Sequence, residues 1–293
     1  MTILKQLTNL LNHPLNKKRK FKTFLKIIWW KANQLFFKFP AIIQMTKEAK
    51  LVCYPNSSYG SFVVYANFPE FEEMNFIYET VNNGDTVLDV GANIGAISIL
   101  AASRGTKVQV FSFEPTEKLI PLIEENINVN KFQNRIEVIK KAVSDKTGKL
   151  QFILESESEI NHISSKDDDS SNSIEVDSIN LDSFVREKSL GIINLLKVDV
   201  EGAELSVFRG SQELFDKKRV EVIVFELNKN ISNFGYNEKT IINFLKHNRF
   251  FVFELNKNKL QLVNNRFKSD KTTNLIAVLK NKKAIKKVFK YLQ

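Results

Sequence analysis

Two short runs of acids and glycines hold the residues best suited to chemistry. The first is TVLDVGANIG at residues 86–95. A β-rich run ends in Asp89, and Gly91, Asn93 and Gly95 then form a tight turn into a helix. Glycines let a ligand approach the backbone closely, and a helix N-terminus offers free N–H groups. The dinucleotide fingerprint G-x-G-x-x-G needs glycine where Asn93 stands, and a different spacing. That departure disfavours a pyrophosphate ligand, and with it a nicotinamide-dependent oxidoreductase. A nucleoside bearing a sulfonium cation tolerates a side chain there and is attracted by the charge of Asp89. Glu114 closes the following β-rich run, where an acid accepts both ribose hydroxyls of a nucleoside. The bland alternative is a glycine turn that only packs a helix on a sheet.

The second run is LLKVDVEGAE at residues 195–204. Period-two alternation puts Lys197 and Asp199 on one side of a strand end. Glu201 and Gly202 begin the next turn, and Glu204 follows in the first turn of a helix. Carboxylates this close to a lysine are costly unless they pair or bind something. Helix capping with a Lys197 salt bridge is the structural alternative. Glu226 ends the next apolar run, Asn228 stands just after it, and adjacent strand ends bring Glu226 toward Asp199. For transfer to a hydroxyl oxygen a base is required. Asp199 is the first candidate for base or acceptor ligand, with Glu226, Lys197 and Glu201 beside it. If a metal takes part, Asp199, Glu226 and Asn228 would offer oxygen ligands suited to magnesium. His162 lies in a polar insertion, and is either a surface histidine or one that reaches the acceptor from a lid.

The elements that must position these residues alternate. Strands are expected at residues 86–90, 107–113, 136–143, 150–154, 192–198, 220–225, 250–255, 259–263 and 275–279. Helices are expected at residues 94–103, 117–130 and 238–247. This order predicts an α/β fold with a mainly parallel sheet, helices on both faces and an antiparallel edge from the late hairpin. Residues 1–50 read as a basic amphipathic helical arm. In it Phe21, Phe24, Leu25, Ile28, Ala32, Leu35, Phe36 and Phe39 form one stripe. Residues 51–84 read as a small β-hairpin, with strands at 51–54 and 61–65, plus a helix at 71–81. Residues 85–281 form the main domain, interrupted at 155–173 by a polar insertion or lid, and residues 282–293 form a C-terminal basic helix with Ile285, Val288, Phe289 and Leu292 on one side.

Charge is distributed unevenly. The first fifty residues hold eleven of the 43 basic residues and one of the 33 acidic ones, so they carry the whole net charge of +10. A neutral body argues against a nucleic-acid partner. The single cysteine, Cys53, excludes an internal disulfide and fits a reducing, cytoplasmic location. Lysines break every apolar run near the N-terminus, so no signal peptide or membrane span is expected. Trp29 and Trp30 among lysines suit peripheral contact with an anionic membrane through residues 17–39. The alternative is a helical cap that packs on the core or on a second copy.

The chain resembles the FkbM family of S-adenosylmethionine-dependent methyltransferases. DVGANIG, FEP, NINVN, AVSD, LDSF, KVDVEGAE and FEL carry the resemblance, in family order over residues 85–226. The likeness implies a Rossmann-like class I fold, with a seven-stranded sheet whose last strand is antiparallel. It also implies S-adenosyl-L-methionine held by Asp89, Gly91, Asn93, Gly95 and Glu114, with Ala142 and Val143 beside the adenine. The acceptor implied is a sugar, a glycan or a small natural product, methylated on oxygen. A donor-binding or membrane-associated glycan-assembly protein without catalysis is the alternative.

Overall fold

The computed structural model describes residues 3–153, 162–163, 173–264, 267 and 272–292. The N-terminal part contains α1 (Ile3–Asn12), α2 (Lys20–Ala32) and a π-helical turn at Asn33–Phe37. A hairpin of β1 (Ala41–Gln44) and β2 (Lys50–Cys53) follows, then α3 (Ser58–Ala66) and α4 (Phe71–Thr80). The alternating part runs β3 (Thr86–Val90), α5 (Ala96–Ala102), β4 (Gln109–Phe113), α6 (Ile120–Asn130), β5 (Ile136–Ile139) and β6 (Ala142–Val143). It continues with β7 (Gly148–Ile153), β8 (His162–Ile163), β9 (Ser173–Ile179), α7 (Leu181–Glu187), β10 (Leu195–Val198), α8 (Glu204–Arg209), α9 (Gln212–Asp216) and β11 (Val222–Leu227). The chain closes with α10 (Glu238–His247), β12 (Phe250–Asn256), β13 (Lys259–Leu262), β14 (Thr273–Leu279) and α11 (Lys282–Val288).

The main sheet has eight strands in the order β13-β12-β14-β11-β10-β3-β4-β5. The ladders from β11 through β10, β3 and β4 to β5 are parallel. β14 runs antiparallel to both β11 and β12, between which it is inserted. β13 adds an eighth strand at the edge, as the second arm of a hairpin with β12. Every residue of β10 is buried, and β3, β11 and β14 are buried at nearly every position, so the sheet is covered on both faces. Strand order reverses between β3 and β10, and the crevice at that switch point is where open α/β sheets take ligands.

Several local expectations change. Residues 61–65 form no strand; they lie within α3. Val63, Val64 and Tyr65 favour strands, but tertiary contacts decide. Ser57 caps the helix by accepting the Gly60 N–H at 2.8 Å, and Trp30 Nε1 donates to Ser61 Oγ at 2.9 Å. The hairpin partner of residues 50–53 is instead the segment 41–44, inside what reads as a helical arm. The expected strand 136–143 splits, because β6 leaves the main sheet to join a four-stranded one ordered β6-β9-β7-β8. Residues 154–161 and 164–172 lie outside the described residues, and with them most of the insertion read as a lid. One apolar core extends from Trp30 to Tyr291, so the segments drawn at residues 50, 84 and 281 share it. In the C-terminal helix the buried residues are Ala284, Val288 and Tyr291, while Phe289 stays exposed. Among the described residues no helix is long and apolar enough to cross a membrane.

α6 fastens the N-terminal hairpin to the crevice. Asn126 is buried; its Oδ1 accepts the Val52 N–H at 2.7 Å and its Nδ2 donates to the Ile94 carbonyl at 2.9 Å. Asn130 forms a reciprocal pair with Lys50, accepting its N–H at 2.8 Å and donating to its carbonyl at 2.7 Å. Asn126→Ala leaves one buried donor and one buried acceptor unpaired, at about 1–3 kcal/mol each. The expected outcome is a loss of about 2–4 kcal/mol in denaturant unfolding. A loss under about 0.5 kcal/mol would show the clamp to be idle.

Candidate active site

A cleft open to solvent lies at the carboxyl ends of β3, β4, β10 and β11. On the β3 side, Gly91, Asn93 and Gly95 all have positive φ, at 81°, 53° and 83°. Asn93 therefore occupies a left-handed position, which asparagine tolerates better than most residues. The Gly91 and Ala92 N–H groups donate to the Phe113 carbonyl at 3.1 and 3.0 Å, which ties the turn to β4. A Cβ on Gly91 would stand 1.9 Å from the Asp199 carbonyl oxygen, so only glycine fits between the two strand ends. Gly95 caps α5 and abuts Ile123, outside the lining of the cleft.

Glu114 is buried at the end of β4. One carboxylate oxygen accepts the Asn93 N–H at 3.0 Å and the other the Thr116 N–H at 2.9 Å. The Thr116 side chain bonds the same carboxylate, so of its roughly four acceptor positions about one remains for a ribose hydroxyl. Asp89 is more deeply placed than a direct sulfonium contact suggests. It is buried, accepts Ser98 Oγ at 2.5 Å, and lies opposite Lys197 in the β3–β10 ladder. It supplies negative charge from the cleft floor. Asn93 Oδ1 is buried without a hydrogen-bond partner.

On the β10 side, Lys197 Nζ is buried between Glu73 and Asp199, 3.1 Å from a carboxylate oxygen of each. Burial opposes its charge, but Asp199, Glu73, Glu70 and Asp89 together hold its pKa well above that of an ordinary lysine. The Asp199 N–H donates to the Val90 carbonyl at 3.0 Å, so this acid abuts the glycine turn directly. Its side chain is 30% exposed, open to the cleft on one side. The β10–β11 register pairs Val198 with Phe225, which sets Glu226 beside Asp199 one residue on. Glu201 has a φ of 51°, a strained conformation held by its neighbours: Tyr236 donates to the Gly202 carbonyl, and Gly202 packs on Asn230.

One oxygen each of Asp199, Glu201 and Glu226 lies within 4.8 Å of the others. Asn228 does not complete that set as an oxygen donor. Its Oδ1 accepts the Asn230 N–H at 2.9 Å, and its Nδ2 donates to Glu201 at 2.8 Å and to Glu226 at 3.3 Å. Ala142 and Val143 of β6 line the apolar end of the cleft with Phe152 and Ile163 of the small sheet. The backbone of His162 pairs with Ile153 in that sheet; its side chain lies outside the described residues.

Three polar residues here are silent in the sequence reading: Tyr59 and Glu70, which line the cleft, and Glu73, which pairs with Lys197. Glu73 carried a usable signal. It lies on one helical face with Phe76, Ile77 and Thr80, all buried, and an acid on an apolar stripe needs a partner.

The sequence pattern of the methyltransferase FkbM domain matches residues 89–253. The chain belongs to the FkbM methyltransferase family. Two curated relatives share part of it. The 2-O-methyltransferase NoeI of Sinorhizobium fredii is 26% identical over 157 residues, covering 45% of this chain and 60% of that one. The hexuronic acid methyltransferase AglP of Haloferax volcanii is 27% identical over 141 residues, covering 48% and 56%. The chain thus spans less than two thirds of the length of either relative. Among solved structures, an FkbM methyltransferase from Methylobacillus flagellatus superposes with a TM-score of 0.42 at 14% identity, covering 75% of this chain and 55% of that chain. A putative rRNA methylase from Clostridium thermocellum gives 0.46 at 13%, covering 72% and 96%.

The family's donor is S-adenosylmethionine, and the residues present fit it. Asn93 Oδ1 has no hydrogen-bond partner among the described residues, Glu114 keeps about one acceptor position for a ribose hydroxyl, and Gly91 leaves the turn bare. Glu70, Asp89, Glu114, Asp199, Glu201 and Glu226 line the cleft against Lys141 and Lys197, so a cationic ligand would relieve the crowding of acids and favour their ionised forms.

The acid excess has a thermodynamic signature. Burial raises Glu70 and Glu226 to about 8, Glu114 and Glu204 to about 7, and Asp89 to about 6; the charge of Glu73 adds to the rise at Glu70 and that of Asp199 to the rise at Glu226. Each group binds more protons folded than unfolded between its ordinary value and its raised one. Stability therefore falls as pH rises across that window. The ligand-free protein should lose thermal stability steadily from about pH 5 to about pH 8.5. A melting temperature that rises over this range would show the cluster to be fully ionised.

Proposed function

We propose that this protein transfers a methyl group from S-adenosyl-L-methionine to a hydroxyl oxygen of a sugar or glycan, in the cytoplasm. The observation that carries the reading is the contact between the two strand ends. Asp199 is hydrogen-bonded to the residue before the Gly91 turn, and its own carbonyl fills the space where a Gly91 side chain would stand. An acceptor gripped at Asp199 is thereby adjacent to a donor lying over the turn. The sugar follows the named activities of NoeI and AglP.

S-adenosyl-L-methionine supplies a methyl group on a positively charged sulfur. Glu114 takes a ribose hydroxyl, the cleft floor contributes the charge of Asp89, and Ala142 and Val143 flank the adenine. Much of the acceleration then comes from holding acceptor and donor in line. Asp199 accepts the proton of the acceptor hydroxyl as transfer occurs, held in orientation by Lys197. Glu226 and Glu201 stand on the acceptor side. A magnesium ion, where bound, would lie among Asp199, Glu201 and Glu226 and would lower the pKa of the hydroxyl.

Asp199→Asn should cut turnover by about a hundredfold or more and leave the affinity for S-adenosylhomocysteine within about threefold. Calorimetry and a single-turnover assay with isotope-labelled donor make the comparison; undiminished turnover removes Asp199 from the chemistry. Glu114→Ala should instead weaken that affinity by about tenfold or more. Equal affinity in the two proteins would contradict the ribose contact. If magnesium takes part, a chelator abolishes turnover and added magnesium restores it, while Glu201→Gln raises the metal concentration needed.

A further inference from the structure

The apolar stripe of α2 faces outward. Phe21, Leu25, Ile28 and Trp29 are exposed, at 76%, 50%, 51% and 52%, while Thr23 and Trp30 on the opposite side are buried. The π-helical turn extends the same ridge with Phe36, 77% exposed, and Phe37. This ridge is no loose end. Asn33 donates to the Phe39 carbonyl at 2.7 Å, Gln34 donates to the Pro55 carbonyl at 2.8 Å, and Trp30 is bonded to Ser61. A fastened helix that shows its apolar side to water is a surface built for contact.

Beside the ridge runs a groove lined by Lys18, Arg19, Lys22 and Lys26, closed by Tyr65 and Asn67. Tyr65 is 6% exposed and its Oη has no hydrogen-bond partner. The groove meets the start of α2, whose first turn holds no acid and whose N-cap residue, Arg19, forms no side-chain cap bond. Positive side chains at the positive end of a helix are destabilising unless an anion joins them. The C-terminal helix shows the contrast: Lys283 pairs with Glu221, Lys287 with Asp85 and Lys290 with Glu79. Among the described residues, Lys18, Arg19 and Lys22 have no such acidic partner, and the first fifty residues contain only Glu48.

We propose that this arm docks on an anionic phospholipid bilayer. The ridge enters the interfacial region, and the groove of Lys18, Arg19, Lys22 and Lys26 takes a headgroup phosphate. A second copy of the chain is the wrong occupant, since two faces each carrying Lys18, Arg19, Lys22 and Lys26 without acids repel. The proposal stands on the arm alone and is independent of the methyl-transfer reading.

Flotation of the full-length protein tests it, using vesicles of phosphatidylcholine alone and vesicles with added phosphatidylglycerol. Binding should be about tenfold or more stronger to the anionic vesicles and should weaken with salt. Trp29 emission should shift to the blue on binding, and Trp29→Phe should abolish that shift. The exposed double variant Phe21→Ser with Leu25→Ser should keep its melting temperature and lose at least about tenfold in binding. Lys22→Gln should lose about fivefold. Absence of binding to either vesicle, equal binding to both, or a lipid-free dimer that shields Trp29 would each overturn the proposal.

Discussion

The ammonium group of Lys197, sealed between Glu73 and Asp199, is the interaction on which the cleft depends. Removing a buried charge from between two carboxylates leaves both uncompensated, so the pairing is far more costly to break than it is stabilising to possess. It also joins three parts of the chain. Glu73 comes from α4, ahead of the main sheet, Asp199 from the end of β10, and Asp89 lies across the ladder on β3. The helix preceding the alternating domain thus helps to wall the cleft, with Glu70 at its start in the lining and Glu73 on Lys197.

Much of this arrangement was legible because its signals are local. A glycine turn after a strand, an acid at the next strand end and a lysine two residues before an aspartate each report geometry within a few residues. Register then follows from neighbouring strands. The features that escaped are those settled at long range. Residues 61–65 have the composition of a strand, and only the cap at Ser57 and the bond from Trp30 make them helix. A periodic stripe in α2 does not say which side faces in; the bond from Trp30 to Ser61 does. Asn228 resembles an oxygen ligand in sequence, yet its oxygen is taken by a backbone N–H two residues on. Glu70 and Tyr59 enter the cleft only because the N-terminal elements fold back over it.

The protein's two basic segments show how the same residue type serves opposite ends. Lys283 and Lys287 of α11, and Lys290 just after it, pair with acids of the body and hold the C-terminus down. Lys18, Arg19 and Lys22 of the arm have no acid near them in sequence and no acidic partner among the described residues, so their charge projects outward. Composition alone reports a basic protein; the pairing pattern reports where that charge is free to act.

The contact between Gly91 and the Asp199 carbonyl has a consequence for how such chains can vary. The two signature segments lie more than a hundred residues apart in sequence, yet they share one interlocking surface with no slack. A β3 turn borrowed from a distant relative will fit only together with the β10 end that shaped it. Any side chain at Gly91 is therefore barred unless the β10 end moves with it, whereas α3 and the small sheet touch the cleft without lying in that seam.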